Sequence, residues 1–213
     1  MGLSSSLQSA TRRLQQPAPA APLATFRILF SLMMLAGTVR FWLNGWIDDL
    51  YVKPKFYFTY MGFDWVHPLN SSGMHLVFFL MALATVLVAL GLFYRIAIVT
   101  FFITFTYVEL LDVTNYLNHY YFISLAAFLM IWLPAGRIFS LDVYFRPKLK
   151  LAKVPLWMVG ALRLQIGMVY FFAGLAKLSP DWLIEAIPMK IWLPPKSHLP
   201  IVGSLMYQEW VAY

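Results

Sequence analysis

The stretch that decides the fold is Leu164-Gln-Ile-Gly-Met-Val-Tyr-Phe-Phe-Ala-Gly-Leu-Ala-Lys-Leu178, an unbroken apolar run that closes on a lysine. Steps of three and four residues follow the 3.6-residue helical period and place a small or polar residue on one face each time. This stripe comprises Arg163, Gly167, Tyr170, Gly174 and Lys177. Because ionisable residues inside a membrane span are costly, the pattern predicts a membrane helix that forms one wall of a polar cavity.

The composition of the whole chain indicates an integral membrane protein. Of its 213 residues, 61% are hydrophobic and only 12% are charged, whereas soluble domains carry about 25% charged residues. The mean hydropathy is +0.70. The net charge of +7 comes from basic residues that flank the apolar runs, so we expect no nucleic-acid partner. Cysteine is absent and the four histidines lie apart, so we expect neither disulfides nor a metal site.

Five apolar runs predict an all-α, polytopic transmembrane helical bundle of about five spans. The runs cover roughly residues 23–43, 74–93, 96–111, 120–134 and 156–178. Residues 201–213 turn apolar again and resemble the start of a further span, which indicates that the chain is the front part of a longer protein. Residues 1–22 predict a flexible cytoplasmic tail, and residues 23–213 form the transmembrane domain.

The distribution of lysine and arginine predicts the orientation. With the N-terminus in the cytoplasm, inner segments hold eight of these residues and outer segments hold five, and the densest cluster is 146–153. The connection 112–119 and Lys177 then both lie on the outer or lumenal side. The aromatic outer segment 44–73 is too apolar for a free linker, so we expect an interfacial segment or a cap over a cavity.

Two interpretations stay open for each candidate side chain. Lys177 is either a general base, because a lysine held away from bulk water favours the neutral amine, or a lysine that snorkels to the lipid headgroups. Asn118 and His119, with Glu109 and Asp112 on one helix face, form either a polar lid over a substrate or ordinary helix caps.

Arginines inside the spans raise a separate question. Arg163 needs an acidic partner or several carbonyl groups if it is buried, and a structural ion pair with Glu109 or Asp112 is the simplest interpretation. Arg27 and Arg40 in the first span require partners for the same reason.

Taken in order, the motifs of this chain resemble those of a known family. The chain is similar to the membrane part of vitamin K-dependent gamma-glutamyl carboxylase and of relatives that share the HTTM domain, of a bacterial or truncated type. The likeness runs from about residue 23 to 193. The segments that carry it are 26–30, 90–96, 110–112 followed by Asn118 and His119, 154–157, and 163–178 with Asp181 and Trp182.

The resemblance implies a mechanism and a set of site residues. Lys177 matches the base that deprotonates reduced vitamin K, a hydroquinone, and His119 and Asn118 match residues that assist at the quinone or the reactive oxygen. O2 then attacks the deprotonated hydroquinone, which becomes the quinone epoxide through a strongly basic alkoxide. This base removes a γ-proton from a glutamate in a protein or peptide substrate, and CO2 adds. Tyr170 and Gly174 are candidate cofactor-binding residues on the same stripe.

Arg163 and Asp112 are expected to support this site rather than to react. The chain also departs from the animal enzymes, which are longer, carry a lumenal domain, and have a second lysine where this chain has Ala176. Two alternatives are therefore a quinone-linked membrane oxidoreductase subunit without carboxylation, and a non-catalytic membrane module that binds lipid or quinone.

Overall fold

The computed structural model describes residues 8–9, 11–200 and 203–212. These residues form two units, Met1–Leu162 and Arg163–Tyr213, and each is described here by itself. The described part of the chain is mostly helical, as the sequence predicts.

Beyond the helical residues 8–9 and 11–14, the first unit contains six helices and one small sheet within its described residues. The helices are α1 (Ala21–Leu43), α2 (Trp46–Tyr51), α3 (Ser71–Leu90), α4 (Tyr94–Leu110), α5 (Asn118–Trp132) and α6 (Leu141–Phe145). Single 3₁₀ turns form at Val113–Asn115 and Pro147–Leu149. A seventh helix, α7 (Leu156–Ala176), begins in this unit and continues into the second.

The five longest described helices follow the five predicted apolar runs to within a few residues. Three of them, α1, α3 and α7, are long and apolar enough to cross a membrane. Helices α4 and α5 have only 17 and 15 residues. The segment 112–119 does not extend either helix by more than two residues, because the extended backbone of Asp112 and Leu117 interrupts it. Between these two residues lies the 3₁₀ turn Val113–Asn115.

Helices α1, α3, α4 and α5 pack side by side in the order α1–α3–α4–α5. At one end, the guanidinium of Arg27 in α1 lies beside Gly91, which ends α3, and Phe139, which follows α5. We call this the basic end, because six lysines and arginines lie there, at the start of a helix or in the segments that follow one. They are residues 95, 137, 146, 148, 150 and 153.

Aromatic contacts define the opposite end of the four helices, which we call the cavity end. The ring of Trp42, late in α1, lies 5.5 Å from the ring of His75, early in α3. The ring of Phe105, late in α4, lies 5.9 Å from that of Tyr120, early in α5. Sequence neighbours in the bundle therefore run antiparallel.

A two-stranded sheet ties two distant parts of the chain together at the basic end. Strand β1 (Pro17–Pro19) pairs antiparallel with β2 (Lys153–Pro155), and Ala18 faces Val154. The amide of Leu156, at the start of α7, donates to Gln16 O at 2.8 Å. Part of the predicted flexible tail thus forms a strand, and α1 and α7 begin at the same end of the unit.

The aromatic segment 44–73 packs onto the cavity end rather than forming a free loop. Helix α2 and residue Val66 contribute three buried side chains, which contact Met74 and Phe78 of α3. These three are Ile47, Tyr51 and Val66. Burying apolar side chains of this size stabilises the contact by roughly 1.5–3 kcal/mol each. The aromatic residues of segment 44–73 predicted that it would pack as an interfacial segment or a cap, but they did not predict which side chains would be buried.

The second unit contains the rest of α7 and short helical turns. The turns are α8 (Pro180–Leu183), α9 (Ile187–Trp192), and 3₁₀ segments at Pro194–Lys196, Gly203–Tyr207 and Glu209–Ala212. The predicted start of a further span over 201–213 is wrong for its described part, where residues 203–207 and 209–212 form 3₁₀ turns. Residues 201, 202 and 213 lie outside the described residues.

Two prolines fit the short helices of this unit. Ser179 occupies the N-cap position of α8, because Pro180 is the first helical residue and suits that position. The segment 186–199 contains α9 despite its three prolines. Pro188 is compatible with that helix because it lies in the first turn, where the amide it lacks has no helical partner.

The close packing at Gly91 generates the first prediction. Gly91 has φ +64°, and a Cβ there would collide with Arg27 and Ser140. We expect Gly91→Ala to lower the free energy of unfolding in detergent by more than the roughly 1–2 kcal/mol that left-handed backbone costs an L-residue. Gly45→Ala is the matched control, since Gly45 has φ +70° but open space around its Cβ. Equal destabilisation by the two variants would contradict the packing.

Candidate functional site

A cavity of about 400 Å³ opens at the cavity end of the first unit. This volume lies within the range of about 300–1,000 Å³ that is typical of small-molecule sites. Residues of α1, α2, α3, α4 and α5 line it, together with the 3₁₀ turn that precedes α5. The aromatic segment 44–73, through α2, is therefore part of the wall and not only a cover.

Aromatic rings form much of this wall. The ring of Phe41 stacks on that of Phe78 at 5.2 Å and an interplanar angle of 17°, and meets the ring of Trp46 edge-on at 5.3 Å. Phe105 contributes another ring from α4, and three methionines (Met33, Met34 and Met81) line the cavity beside the rings. Flat walls and polarizable thioethers suit a planar, apolar ligand.

His119 brings an imidazole to this cavity from the first turn of α5. Its ring meets that of Tyr120 edge-on at 4.7 Å, and both residues line the cavity. Asn118, the first residue of α5, is exposed and is not among the cavity-lining residues. Asn115, three residues earlier, lines the cavity instead. Periodicity alone did not single out Asn115, because the 3₁₀ turn changes the side-chain directions before α5 begins.

The two carboxylates near this end have different surroundings. Glu109 lines the cavity and accepts a hydrogen bond from the hydroxyl of Ser124 in α5. Asp112 is buried and accepts bonds from the amide and hydroxyl of Thr114, at 2.9 and 2.7 Å. Asp112 thus caps the 3₁₀ turn. The expectation that both share one helix face is wrong, because α4 ends at Leu110.

Two further polar side chains, Arg40 and Tyr51, line the cavity. Arg40 stacks its guanidinium 5.2 Å from the centroid of the Trp46 ring, a cation–π contact. Burial raises the pKa of Tyr51, and the negative charge of Asp112 acts in the same direction. Tyr51 therefore keeps its proton at neutral pH, and its hydroxyl is available to donate into the cavity.

The predicted polar stripe of α7 lies in the second unit. Arg163, Tyr170, Gly174 and Lys177 are all exposed there, as is most of the apolar side of the helix. The amide of Lys177 donates to Gly174 O at 3.0 Å, which closes the last turn. Its ammonium lies 5.0 Å from the centroid of the Trp182 ring, so a cation–π contact positions the amine.

Arg27 has a carbonyl partner instead of the carboxylate that a buried charge suggests. Its side chain is fully buried at the basic end, and Nη2 donates to Phe139 O at 2.5 Å. The sequence marks Arg27 as a charge within an apolar run, but its partner lies 112 residues away. Arg27 therefore belongs to the scaffold and not to the cavity.

The second prediction tests whether the cavity accepts an aromatic ligand. Gly37 lines the cavity, and nothing lies within 4 Å of a Cβ built there. We expect Gly37→Leu to fill part of the space and to lower by at least tenfold the affinity for a planar aromatic probe that binds there, with 2-methyl-1,4-naphthoquinone as the probe and calorimetry in detergent as the measurement. Gly160→Leu, in similarly open space on α7, is the control. Unchanged affinity in Gly37→Leu would place the ligand elsewhere.

Comparison with known proteins places these features in a family. No solved structure matches the chain. The family model of the HTTM domain matches residues 15–213, nearly the whole sequence. The HTTM domain is associated with vitamin K-dependent carboxylase, a membrane protein. The chain therefore belongs to the HTTM domain family.

Proposed function

We propose that this chain is the membrane part of a vitamin K-dependent gamma-carboxylase-like enzyme, a lyase that couples hydroquinone epoxidation to carboxylation of protein glutamate. The observation that carries the proposal is the aromatic cavity of about 400 Å³ with His119 in its wall. The family match over residues 15–213 adds the association with vitamin K-dependent carboxylase.

The cavity residues suit a reduced naphthoquinone. A fused aromatic ring needs flat apolar walls, and Phe41, Phe78 and Phe105 supply them. Its two hydroxyl groups need hydrogen-bond acceptors, which His119 and Asn115 offer through a ring nitrogen and an amide oxygen. When bound, the hydroquinone supplies the electrons that O2 takes up, and this oxidation drives removal of the glutamate γ-proton before CO2 adds at that carbon.

Each proposed site residue has a distinct task. Lys177 accepts a hydroxyl proton of the hydroquinone, which requires the neutral amine. His119 orients an oxygen of the ring from the cavity wall. The resemblance assigns Asn118 to the same task, and Tyr170 and Gly174 on the stripe of α7 remain the proposed cofactor-binding residues. Glu109, held by Ser124, is an acceptor at the cavity that the sequence did not assign to the reaction.

The proposed topology has five spans, with the N-terminus in the cytoplasm and the active site on the outer or lumenal side. Pairing of β1 with β2 at the basic end supports it, because an even number of crossings must separate the strands and α1, α3, α4 and α5 supply four. Helices α4 and α5 reach only about 22–26 Å at 1.5 Å per residue. This is slightly less than the roughly 30 Å hydrocarbon core, so local thinning of the bilayer accompanies them.

The third prediction concerns the base. We expect Lys177→Ala to lower hydroquinone epoxidation in membranes by at least 100-fold, since a positioned general base contributes roughly 10²–10⁴ in rate. Lys196→Ala is the control, because Lys196 is an exposed lysine of the same unit outside the polar stripe. Equal turnover in wild type and Lys177→Ala would remove Lys177 from the mechanism.

The fourth prediction concerns the joint action of Lys177 and His119. If both serve one proton-transfer step, the double variant Lys177→Ala with His119→Gln loses little more activity than the worse single variant. Residues that act as a unit are non-additive in this way. Additive losses in the free energy of activation would show that His119 acts in a separate step.

Carboxylation is measured separately, by incorporation of labelled CO2 into a glutamate-containing peptide with membranes and hydroquinone. We expect incorporation that requires hydroquinone and Lys177. Epoxidation without incorporation would identify a quinone-linked oxidoreductase subunit. Quinone binding with no turnover in either assay would identify a non-catalytic membrane module.

A further inference from the structure

A second cavity, of about 230 Å³, lies at the basic end of the first unit. Arg95 at the start of α4, Arg137 after α5 and Arg146 after α6 line it. The amide of Leu151 donates to Arg137 O at 3.0 Å and anchors the segment that follows. Three arginines from three separate parts of the chain thus line one cavity.

No ion pair among the described residues neutralises the arginines of this cavity. Within the described residues, the two ion pairs lie between positions 48 and 75, far along the chain from these arginines. Asp142 also lines the cavity, but its carboxylate accepts bonds from the amides of Phe93 and Tyr94, at 3.0 and 3.1 Å. Three arginines and one carboxylate, which already accepts two backbone hydrogen bonds, give the cavity an excess of two positive charges.

An apolar groove of about 380 Å³ adjoins the basic cavity. The groove runs along the surface of the bundle between α3 and α4, and its walls include Leu80, Leu83 and Leu87. Phe93 and Ile96 line both the groove and the cavity, so the two spaces share a border. These two side chains are 60% and 70% exposed, respectively.

Phe93 occupies this border in an unusual backbone conformation. Its φ is +47°, in the left-handed region that a bulky residue rarely adopts, and its amide is held by Asp142. Non-glycine residues in such conformations persist only where the surrounding structure holds them.

We propose that the basic cavity and the groove together bind one anionic phospholipid, with its phosphate among the arginines and an acyl chain along α3 and α4. A planar guanidinium donates two parallel hydrogen bonds to phosphate oxygens, which a lysine cannot do. The groove distinguishes a lipid from free phosphate, because it places apolar surface directly beside the anion site. The site lies at the end of the bundle opposite the aromatic cavity and does not depend on the proposed reaction.

Intact-protein mass spectrometry of the full chain in a non-ionic detergent tests this proposal. The chain is mixed with equal amounts of phosphatidylglycerol and phosphatidylcholine that carry the same acyl chains. We expect one bound phosphatidylglycerol, favoured over phosphatidylcholine by at least about fivefold, since each arginine near an anionic lipid contributes on the order of fivefold in affinity. A tenfold molar excess of inorganic phosphate should leave this ratio unchanged.

Matched variants assign the effect to the cavity. Arg137→Gln with Arg146→Gln should abolish the preference, whereas Lys148→Gln with Lys150→Gln removes the same charge outside the cavity and should preserve it. If the glutamine variant does not fold, Arg137→Lys with Arg146→Lys keeps the charge and should still reduce the preference through loss of paired donors. Equal binding of both lipids, equal loss in the Lys148 and Lys150 variant, or displacement by inorganic phosphate would overturn the proposal.

Discussion

The hydrogen bond from the buried guanidinium of Arg27 to the carbonyl oxygen of Phe139 holds the basic end together. A charged group inside an apolar bundle is tolerated only with polar partners, and removing the partner of a buried charge costs roughly 3–5 kcal/mol. The bond joins the first helix of the bundle to the segment after the fourth. The same guanidinium leaves no room for a side chain at Gly91, so the turn between α3 and α4 lies against it.

This constraint separates the first unit into two ends with different chemistry. At the basic end, side chains hold backbone groups: Arg27 binds a carbonyl group, and Asp142 caps the start of α4. At the cavity end, α1, α3, α4 and α5 surround an open space with aromatic walls and a few polar groups. The basic end fixes where α1 and α4 begin and where α3 ends, while the buried cluster around Ile47, Tyr51 and Met74 packs the cavity end.

The helices themselves were predictable, because an apolar run near 20 residues has few alternatives to a membrane helix. The helical spacing of the stripe on α7 was predictable for the same reason. The partner of Arg27 was not, since a carbonyl oxygen has no signature in sequence and this one is 112 residues away. The position of Asp112 was also predicted wrongly. Helical spacing would have put Asp112 and Glu109 on one face, but a 3₁₀ turn follows Asp112 and ends that spacing.

The candidate site was predicted in part. His119 and Asn115 line the cavity, whereas Asn118 does not. The aromatic wall from Phe41, Trp46 and Phe78 combines two helices and the outer segment, so no local pattern could reveal it. Lys177 contacts Trp182 in its own unit, and its role as a base remains part of the proposal.

Photoaffinity labelling with a naphthoquinone that carries a diazirine tests the central claim, that the aromatic cavity is the quinone site. After illumination in membranes, the labelled peptides are mapped by mass spectrometry, with and without excess unlabelled quinone. The account predicts competable labelling within residues 33–51 and 105–123, the segments that supply most of the cavity wall. Competable labelling confined to residues 65–77 and 102–104, which line a separate apolar cavity, would contradict it.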